Sequence, residues 1–403
     1  MKFKINEHMD RLKVAVILIL MVVLAGISYI LSQYYEFWCL NEVEGEEILV
    51  SKGYDGDRGY NAFPKVVRIH STDSEYHNDE LLAVWYNGDS HVDSNSDGVI
   101  LGSYSQNNGS SWGTPFLIYD DPSLDCRNIG LICAQNGSLI VFFAKVDVSK
   151  IENKVEAWTD FGYIISYNGG ESWTTFRSII NQEQFESMSI ITGNGYGDPV
   201  CIENEIYVLC YGYPQTTLDE THVAFLLTSN DNGETWILKS NLSLSMGIST
   251  SEADFWYNST QDLLFGFSRT QNTDPRYLYY FDSTDRGTSW LHLKQLNIQG
   301  DCPDIFQLLD GRYLVVIRAY GKQNVYVGYF TLPSNFAGIS FEDKENILEN
   351  IEIKCLKRTT FRSSHGNVAY PSIASIDGEK ILVVYYDIGA GGVFGKIVSE
   401  NAL

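Results

Sequence analysis

Basic residues, cysteine and proline are all scarce in this 403-residue chain. There are 28 Lys+Arg against 51 Asp+Glu, a formal net charge of −23, so no basic surface is available to neutralise nucleic acid phosphates. Seven scattered cysteines without a CxxC pair argue against a disulfide scaffold and against a zinc site. One disulfide, Cys126–Cys133 or Cys201–Cys210, is possible. The simpler interpretation is that most of the cysteines are small, buried apolar side chains.

Aromatic and apolar residues, in contrast, are plentiful. The chain is 44% hydrophobic and 13% aromatic, which excludes a disordered protein. It contains 26 Tyr, 20 Phe and 8 Trp together with 34 Gly and only 9 Pro. Because aromatic side chains suit pleated, half-buried surfaces, this composition predicts an all-β protein.

Charge and hydropathy divide the N-terminal region from the rest. Residues 1–13 carry a net charge of +2, and the remainder therefore sums to −25. Residues 14–31 contain no charge and, at about 1.5 Å per residue, can nearly span a bilayer as a helix. We expect a transmembrane signal anchor with a cytoplasmic arm, a linker at 32–48 and an exported domain at 49–403. A cleaved signal peptide ending near Ala25-Gly26 is the alternative.

Four segments share the pattern Ser-x-Asp/Asn-x-Gly-x-Ser/Thr-Trp. Each follows an apolar strand, so each is predicted to be a hairpin turn in which the Asp or Asn side chain binds backbone amides and Gly takes a positive φ. The tryptophan should pack back against the sheet. The predicted structural residues are Asn107, Trp112, Asn168, Trp173, Asp231, Trp236, Asp285 and Trp290.

A second repeat, an apolar strand, a polar turn and a strongly apolar strand, occurs six times. Since each unit would form about one four-stranded sheet that packs on its neighbours, the repeats predict a six-bladed β-propeller preceded by one transmembrane helix. The six units begin at Phe63, Ile129, Pro199, Ala253, Pro303 and Pro371.

The four turns resemble the Asp-box repeats of the sialidase (neuraminidase) superfamily. That resemblance implies a glycan ligand and an exo-glycosidase site with a tyrosine nucleophile, a glutamate that activates it and an aspartate acid/base. It also implies three arginines that bind the substrate carboxylate. The sequence is therefore interpreted as an exported, membrane-tethered glycosidase of the sialidase type.

Each catalytic part has a matching position. Tyr370, in Ala369-Tyr370-Pro371-Ser372, matches the nucleophile, and Glu252 with Arg269 matches the activating glutamate and a substrate-binding arginine. Asp93 matches the acid/base residue, and Asp97 is the second choice for that role. Asp97 is also a candidate for substrate binding. Each has a purely structural alternative: Tyr370 as a core tyrosine, Glu252 and Arg269 as a cross-strand ion pair, and Asp93 as a turn residue.

The arginine set departs from the family pattern. Ala62 stands at the first arginine position and Lys322 at the third, whereas Arg318 ends its strand as Arg269 does and is the second substrate-binding candidate. Arg68 fits a rim salt bridge. Two other functions therefore stay open: a non-catalytic propeller that binds a carbohydrate or protein, and a hydrolase or lyase of non-sialic sugars.

No cofactor or metal is expected. Asp93, Asn95 and Asp97 imitate the start of a calcium loop, but the twelfth position holds Tyr104 where a bidentate glutamate is required.

Overall fold

The computed structural model describes thirteen segments, all of whose strands lie in the compact unit Val43–Leu403. The described residues are 21–23, 42–52, 59–70, 77–90, 98–150, 157–179, 194–195, 198–212, 222–242, 249–270, 275–319, 324–357 and 368–403.

Within these segments the protein forms five antiparallel sheets. The first strand, β1 (Glu46–Ser51), belongs to the last sheet. The first sheet contains β2 (Tyr60–Arg68), β3 (Leu81–Gly88), β4 (Val99–Ser105) and β5 (Phe116–Tyr119). The second contains β6 (Asp125–Cys133), β7 (Leu139–Val146), β8 (Trp158–Ser166) and β9 (Arg177–Ser178).

The third sheet is built around β12, with which both β10 and β11 pair. Its strands are β10 (Asn194–Gly195), β11 (Val200–Ile202), β12 (Glu205–Gly212), β13 (Val223–Ser229) and β14 (Ile237–Asn241). The fourth sheet has seven strands: β15 (Thr250–Asn258), β16 (Leu263–Thr270), β17 (Tyr277–Ser283), β18 (Leu291–Gln307), β19 (Tyr313–Ala319), β20 (Val325–Phe330) and β21 (Glu352–Lys357).

The fifth sheet joins the two ends of the unit, because β1 pairs with β24. Its other strands are β22 (Val368–Asp377), β23 (Lys380–Asp387) and β24 (Gly392–Ser399). One helix, α1 (Phe341–Glu349), is inserted between β20 and β21, and Ser340 caps it by accepting a hydrogen bond from the Asp343 amide. Short 3-10 helices lie at Val148–Lys150, Phe336–Gly338 and Glu400–Ala402.

The all-β class is confirmed, but the prediction of six separate blades is wrong. Strand β18 is 17 residues long. It pairs with β17 up to Gln299 and with β19 from Gly300 onward. One continuous strand therefore merges two repeat units into a single seven-stranded sheet.

The predicted single-pass membrane topology is also corrected. Over the residues that the structure describes, no helix is both long and apolar enough to cross a bilayer. Of the segment 14–31, only 21–23 are described, as helix with exposed side chains. An uncharged run is a local property of composition, whereas a membrane span also needs a helix of sufficient length.

The four repeated turns close hairpins between the third and fourth strands of their units. In the third copy, Ser229 Oγ accepts from the Gly233 amide at 2.9 Å and Asp231 Oδ1 accepts from the Thr235 amide at 2.9 Å. Trp236 is buried and donates to the Gly233 carbonyl. Gly233 has φ +86°, and a Cβ there would lie 2.2 Å from Ile140 of the neighbouring sheet. The turn therefore serves packing between sheets.

The four cysteines for which a disulfide was considered possible are all free thiols: Cys126, Cys133, Cys201 and Cys210.

A histidine connects the first two sheets at the edge. The His77 ring stacks on Tyr104, 3.9 Å between centroids, and its two nitrogens lie 2.8 Å from Glu80 and 2.7 Å from Glu171. Partial burial opposes a positive charge on His77, but the two glutamates outweigh it and raise the pKa of the imidazole.

This arrangement predicts a pH-dependent contribution to stability. Because the folded-state pKa of His77 is raised, its stabilisation is fully present below the ordinary pKa of 6.5 and is lost as the pH rises through the folded value. The difference in unfolding free energy between wild type and His77→Gln should be on the order of 0.5 to 1 kcal/mol larger between about pH 5 and 6 than in alkaline buffer, where only the pH-independent contacts of the ring, such as its stacking on Tyr104, remain. Urea unfolding at several pH values measures it. A difference that is independent of pH contradicts the charged state of His77.

Candidate active site

The innermost strands of the sheets carry β-bulges at matching positions. Register shifts occur in β2, β6, β15, β18 and β22. In each bulge one residue other than glycine has a positive φ between 44° and 59°. These residues are Phe63, Asn128, Glu252, Cys302 and Tyr370. A bulge redirects the side chain at the extra residue, and such strained positions are concentrated at functional sites.

Three bulge residues meet in one hydrogen-bonded cluster. Tyr370 Oη donates to Glu252 Oε1 at 2.5 Å, and Cys302 Sγ donates to Glu252 Oε2 at 3.3 Å. Arg269 Nε lies 2.9 Å from the same Oε2 and 3.0 Å from Ser251 Oγ. Both oxygens of the Glu252 carboxylate are therefore held, one by the phenol and the other by a guanidinium and a thiol.

Burial governs the protonation of this cluster. It raises the pKa of Tyr370 well above the ordinary value, and the Glu252 carboxylate raises it further. Burial likewise raises the pKa of the Cys302 thiol. The pKa of Arg269 is raised although burial opposes its charge, because Glu252 and Asp301 stabilise the guanidinium. At neutral pH the phenol and the thiol are therefore protonated, and ionisation of Tyr370 requires a base.

A second carboxylate, Asp301, lies among three arginines. Its Oδ2 is 2.8 Å from Arg318 Nη2 and 3.5 Å from Arg276 Nη1, and its Oδ1 is 3.6 Å from Arg269 Nη1. Burial alone would raise the pKa of Asp301, but the three guanidinium groups outweigh it and lower that pKa. Asp301 is thus an ionised, buried carboxylate beside the Tyr370–Glu252 pair.

Aromatic rings surround the nucleophile candidate. The ring centroid of Tyr370 is 4.8 Å from Phe63 and 6.1 Å from Tyr386, and Arg318 Cζ is 6.0 Å from the Tyr370 centroid. The contacts continue from Phe63 to Tyr86, at 5.8 Å. A pocket opens beside this group, lined by Phe63, Pro64, Lys65, Asn128, Ile129, Tyr211 and Tyr370.

Charged residues close to the bulges in sequence form a second cluster, in which Lys65, Asp254 and Asp304 are buried and Asp198 is partly exposed. Lys65 Nζ is 2.7 Å from Asp198 and 3.5 Å from Asp304. Asp254 accepts backbone hydrogen bonds from Asp198 and Ile305. Burial, with Asp198 adding to it, raises the pKa of Asp254 to about 8. This cluster joins inner strands of several sheets and supports the layer that carries Glu252 and Tyr370.

The structure brings together some predicted site residues and leaves others untested. Tyr370, Glu252 and Arg269 converge, and Arg318 reaches the same cluster through Asp301. Arg68 binds Asp79 and two carbonyls of the fifth sheet, as expected for a rim residue. The other predicted positions lie outside the described residues: Asp93, Asn95, Asp97 and Lys322.

Sequence reasoning missed several residues of the site. Asp301, Cys302 and Arg276 were not singled out, nor was Arg127, which pairs with Asp125 and lies 5.3 Å from the Tyr86 ring. A usable signal was the proline that follows three of the bulge residues: Phe63-Pro64, Cys302-Pro303 and Tyr370-Pro371.

Among the described residues, no group of three or more His, Cys, Asp or Glu side chains is arranged to hold a metal ion.

Comparison with known proteins identifies the family. The BNR repeat-like domain matches residues 79–383, so the chain belongs to the BNR repeat-like family. A search of curated proteins finds no match.

Solved structures with the same fold have distant sequences. A protein of unknown function from Dyadobacter fermentans has a TM-score of 0.71 and 17% identity, covering 89% of this chain and 99% of its own. The intramolecular trans-sialidase from Ruminococcus gnavus has a TM-score of 0.62 and 12% identity, covering 88% and 98%. The α-L-arabinanase of Penicillium chrysogenum, solved with arabinobiose, has a TM-score of 0.54 and 11% identity, covering 88% and 98%. This chain therefore has a sialidase-like fold, which it shares with these proteins.

Arg269→Ala tests the buried cluster independently of any catalysis. The substitution leaves the carboxylates of Glu252 and Asp301 without their shared cation, so the unfolding free energy should fall by about 3 kcal/mol. Urea denaturation at pH 7 measures this change. Arg312→Ala, which removes a partly exposed arginine that pairs with Asp310 and donates to the Glu400 carbonyl, is the matched control and should cost about 1 kcal/mol. Equal effects of the two substitutions contradict the described cluster.

Proposed function

We propose that this protein is a retaining exo-glycosidase that uses Tyr370 as its nucleophile. The observation that carries the proposal is the 2.5 Å hydrogen bond from Tyr370 Oη to Glu252, whose other oxygen is paired with Arg269. A nucleophile bound to a base that a third group orients is the arrangement required for covalent catalysis. The residues come from two different sheets and meet only in the folded protein.

The first step forms a glycosyl-enzyme bond. Tyr370 Oη attacks the anomeric carbon of the sugar and transfers its proton to Glu252 as the new C–O bond forms. The glycosidic C–O bond breaks, and its electron pair stays on the leaving oxygen, which takes a proton from the acid/base residue. Asp93 is the residue proposed for that role and Asp97 is the second choice; both lie outside the described residues.

The second step releases the sugar. A water molecule, deprotonated by the same acid/base residue, attacks the anomeric carbon and breaks its bond to Tyr370 Oη. The phenolate recovers the proton held by Glu252, which restores the starting state. Two displacements at one carbon return the original configuration, so retention follows from the mechanism.

The environment of Tyr370 supports a role for Glu252 as base. Burial raises the pKa of the phenol well above its ordinary value, so the phenolate is not available without a proton acceptor. Arg269 holds the second oxygen of Glu252, which orients the carboxylate and leaves Oε1 facing the phenol. General base catalysis of this kind typically contributes about 10² to 10⁴ in rate.

The family and fold agree with a glycosidase without establishing one. Members of one fold carry out unrelated reactions, so activity has to be argued from the site. The named neighbours include a trans-sialidase and an arabinanase, both of which act on glycans. The alternative function is a non-catalytic module that binds a carbohydrate or a protein with the same site.

Tyr370→Phe tests the nucleophile. The substitution keeps the ring and its packing and removes only the attacking oxygen, so turnover of a fluorogenic aryl glycoside should fall at least about a hundredfold. The wild type is first screened against a panel of acidic and neutral glycosides, and the variant is then assayed on the substrate that is cleaved.

Tyr385→Phe is the matched control, because it removes a hydroxyl of the same sheet that donates to Glu47 instead. It should retain full activity. Absence of turnover across the panel by folded wild type contradicts the enzyme and favours the binding module. Equal activity of wild type and Tyr370→Phe contradicts Tyr370 as nucleophile.

A further inference from the structure

Asp301 is a carboxylate of the protein itself that occupies an arginine cluster. Three arginines approach this one side chain at 3.6, 3.5 and 2.8 Å: Arg269 near the end of β16, Arg276 just before β17 and Arg318 near the end of β19. The side chain of Asp301 is 2% exposed, whereas those of Arg276 and Arg318 are 27% and 17% exposed. The carboxylate therefore lies behind the guanidinium groups, on the protein side of the site.

The hydrogen-bonding capacity of Arg269 is largely used within the protein. Its Nε serves Glu252 and Ser251, and its Nη1 faces Asp301. A substrate carboxylate prefers a bidentate pair of N–H groups on a planar guanidinium. Arg269 can offer such a pair only from Nη1 and Nη2, and Nη1 faces the buried Asp301 carboxylate, which would then share this cation with the substrate.

The local charges favour a further carboxylate only weakly. Three guanidinium groups face two carboxylates, Glu252 and Asp301, so most of the positive charge is already neutralised. Like-charged groups that share a site disfavour one another's ionised form. An incoming carboxylate would therefore be attracted by three cations and opposed by two anions at close range.

The other side of the site has no arginine at the position that the family resemblance implies, and its pocket is lined mainly by aromatic and apolar residues beside Lys65 and Asn128. Ala62, at the position where the family resemblance implies an arginine, is fully buried in β2. The next residue, Phe63, packs its ring against Tyr370. Residues 14–403 carry a net charge of −25, so the surrounding field does not steer an anionic sugar toward the site.

We propose that Asp301 determines the substrate class: the site takes a glycoside with no carboxylate at the anomeric carbon, and Asp301 occupies the arginines that would bind such a group. The proposal rests on the proposed function, because it assumes that the sugar binds beside Tyr370. Arg318 then donates hydrogen bonds to neutral hydroxyl groups, and the aromatic rings contact the apolar face of the sugar.

The experiment compares the charge preference of wild type and Asp301→Asn. Asparagine keeps the shape and one acceptor oxygen of Asp301 but removes its charge, leaving three cations against one anion. Binding is measured by titration calorimetry with two probes, the α-methyl glycoside of sialic acid and its methyl ester, which differ only in that the anomeric carboxylate is replaced by a neutral ester group. Wild type should bind the neutral ester at least about tenfold more tightly than the acid, and Asp301→Asn should bind the acid at least about tenfold more tightly than wild type does.

Asp310→Asn is the matched control, since Asp310 pairs with Arg312 at an exposed turn of the same sheet and should leave both affinities unchanged. Preference of wild type for the acid, or failure of wild type to bind the ester, overturns the proposal. So does an unchanged affinity for the acid in folded Asp301→Asn. If that variant does not fold, the two wild-type affinities decide alone.

Calorimetry separates this inference from the proposed function. If the binding preferences are as predicted but no glycoside is hydrolysed, Tyr370 is not a nucleophile, and Asp301 is still the residue that selects substrate charge. Hydrolysis of an acidic sialoside with a lower KM than its ester would support the nucleophile and overturn the role of Asp301.

Discussion

The bulges on the innermost strands are the constraint on which the candidate site depends. Holding a residue other than glycine at positive φ costs roughly 1 to 3 kcal/mol, and five such residues recur at matching positions. The regular pairing on either side of each bulge holds it in place. Glu252, Cys302 and Tyr370 therefore meet, although Glu252 and Tyr370 are 118 positions apart in sequence. Without the bulges, the alternation of a regular strand would place these side chains differently.

Charge compensation is the second organising feature. The carboxylates near Tyr370 are paired with cations: Glu252 with Arg269, Asp301 with three arginines, and Asp198 and Asp304 with Lys65. Buried charges are tolerated only when they are paired, so each carboxylate requires its cation. Because these carboxylates need their cations, fewer arginines are available to bind a ligand. The charge pairing that stabilises the fold therefore also limits the charge of the sugar that the site can accept.

Much of the fold and half of the candidate site could be predicted from the sequence. The all-β class and the four repeated turns follow from local chemistry, because strand alternation and Asx turns involve residues a few positions apart. Tyr370, Glu252 and Arg269 were identified by resemblance to a family pattern. Asp301 and Arg276 were missed, because nothing in their local sequence distinguishes an arginine cluster from separate surface charges. The predicted membrane helix has no counterpart among the described residues. The six separate sheets were wrong, because the continuity of β18 is not a property of a short window.

The sequence by itself determined the strands, the turns and the identity of the chemical groups, since these depend on neighbours along the chain. Only the tertiary structure decided which groups meet. The hydrogen bond of Tyr370 to Glu252 joins the fifth sheet to the fourth, and the position of Asp301 between Arg269, Arg276 and Arg318 depends on how β18 lies beside its neighbouring strands. Electrostatic interactions between these groups fall off over a few ångströms, so their consequences appear only when the sheets are packed together.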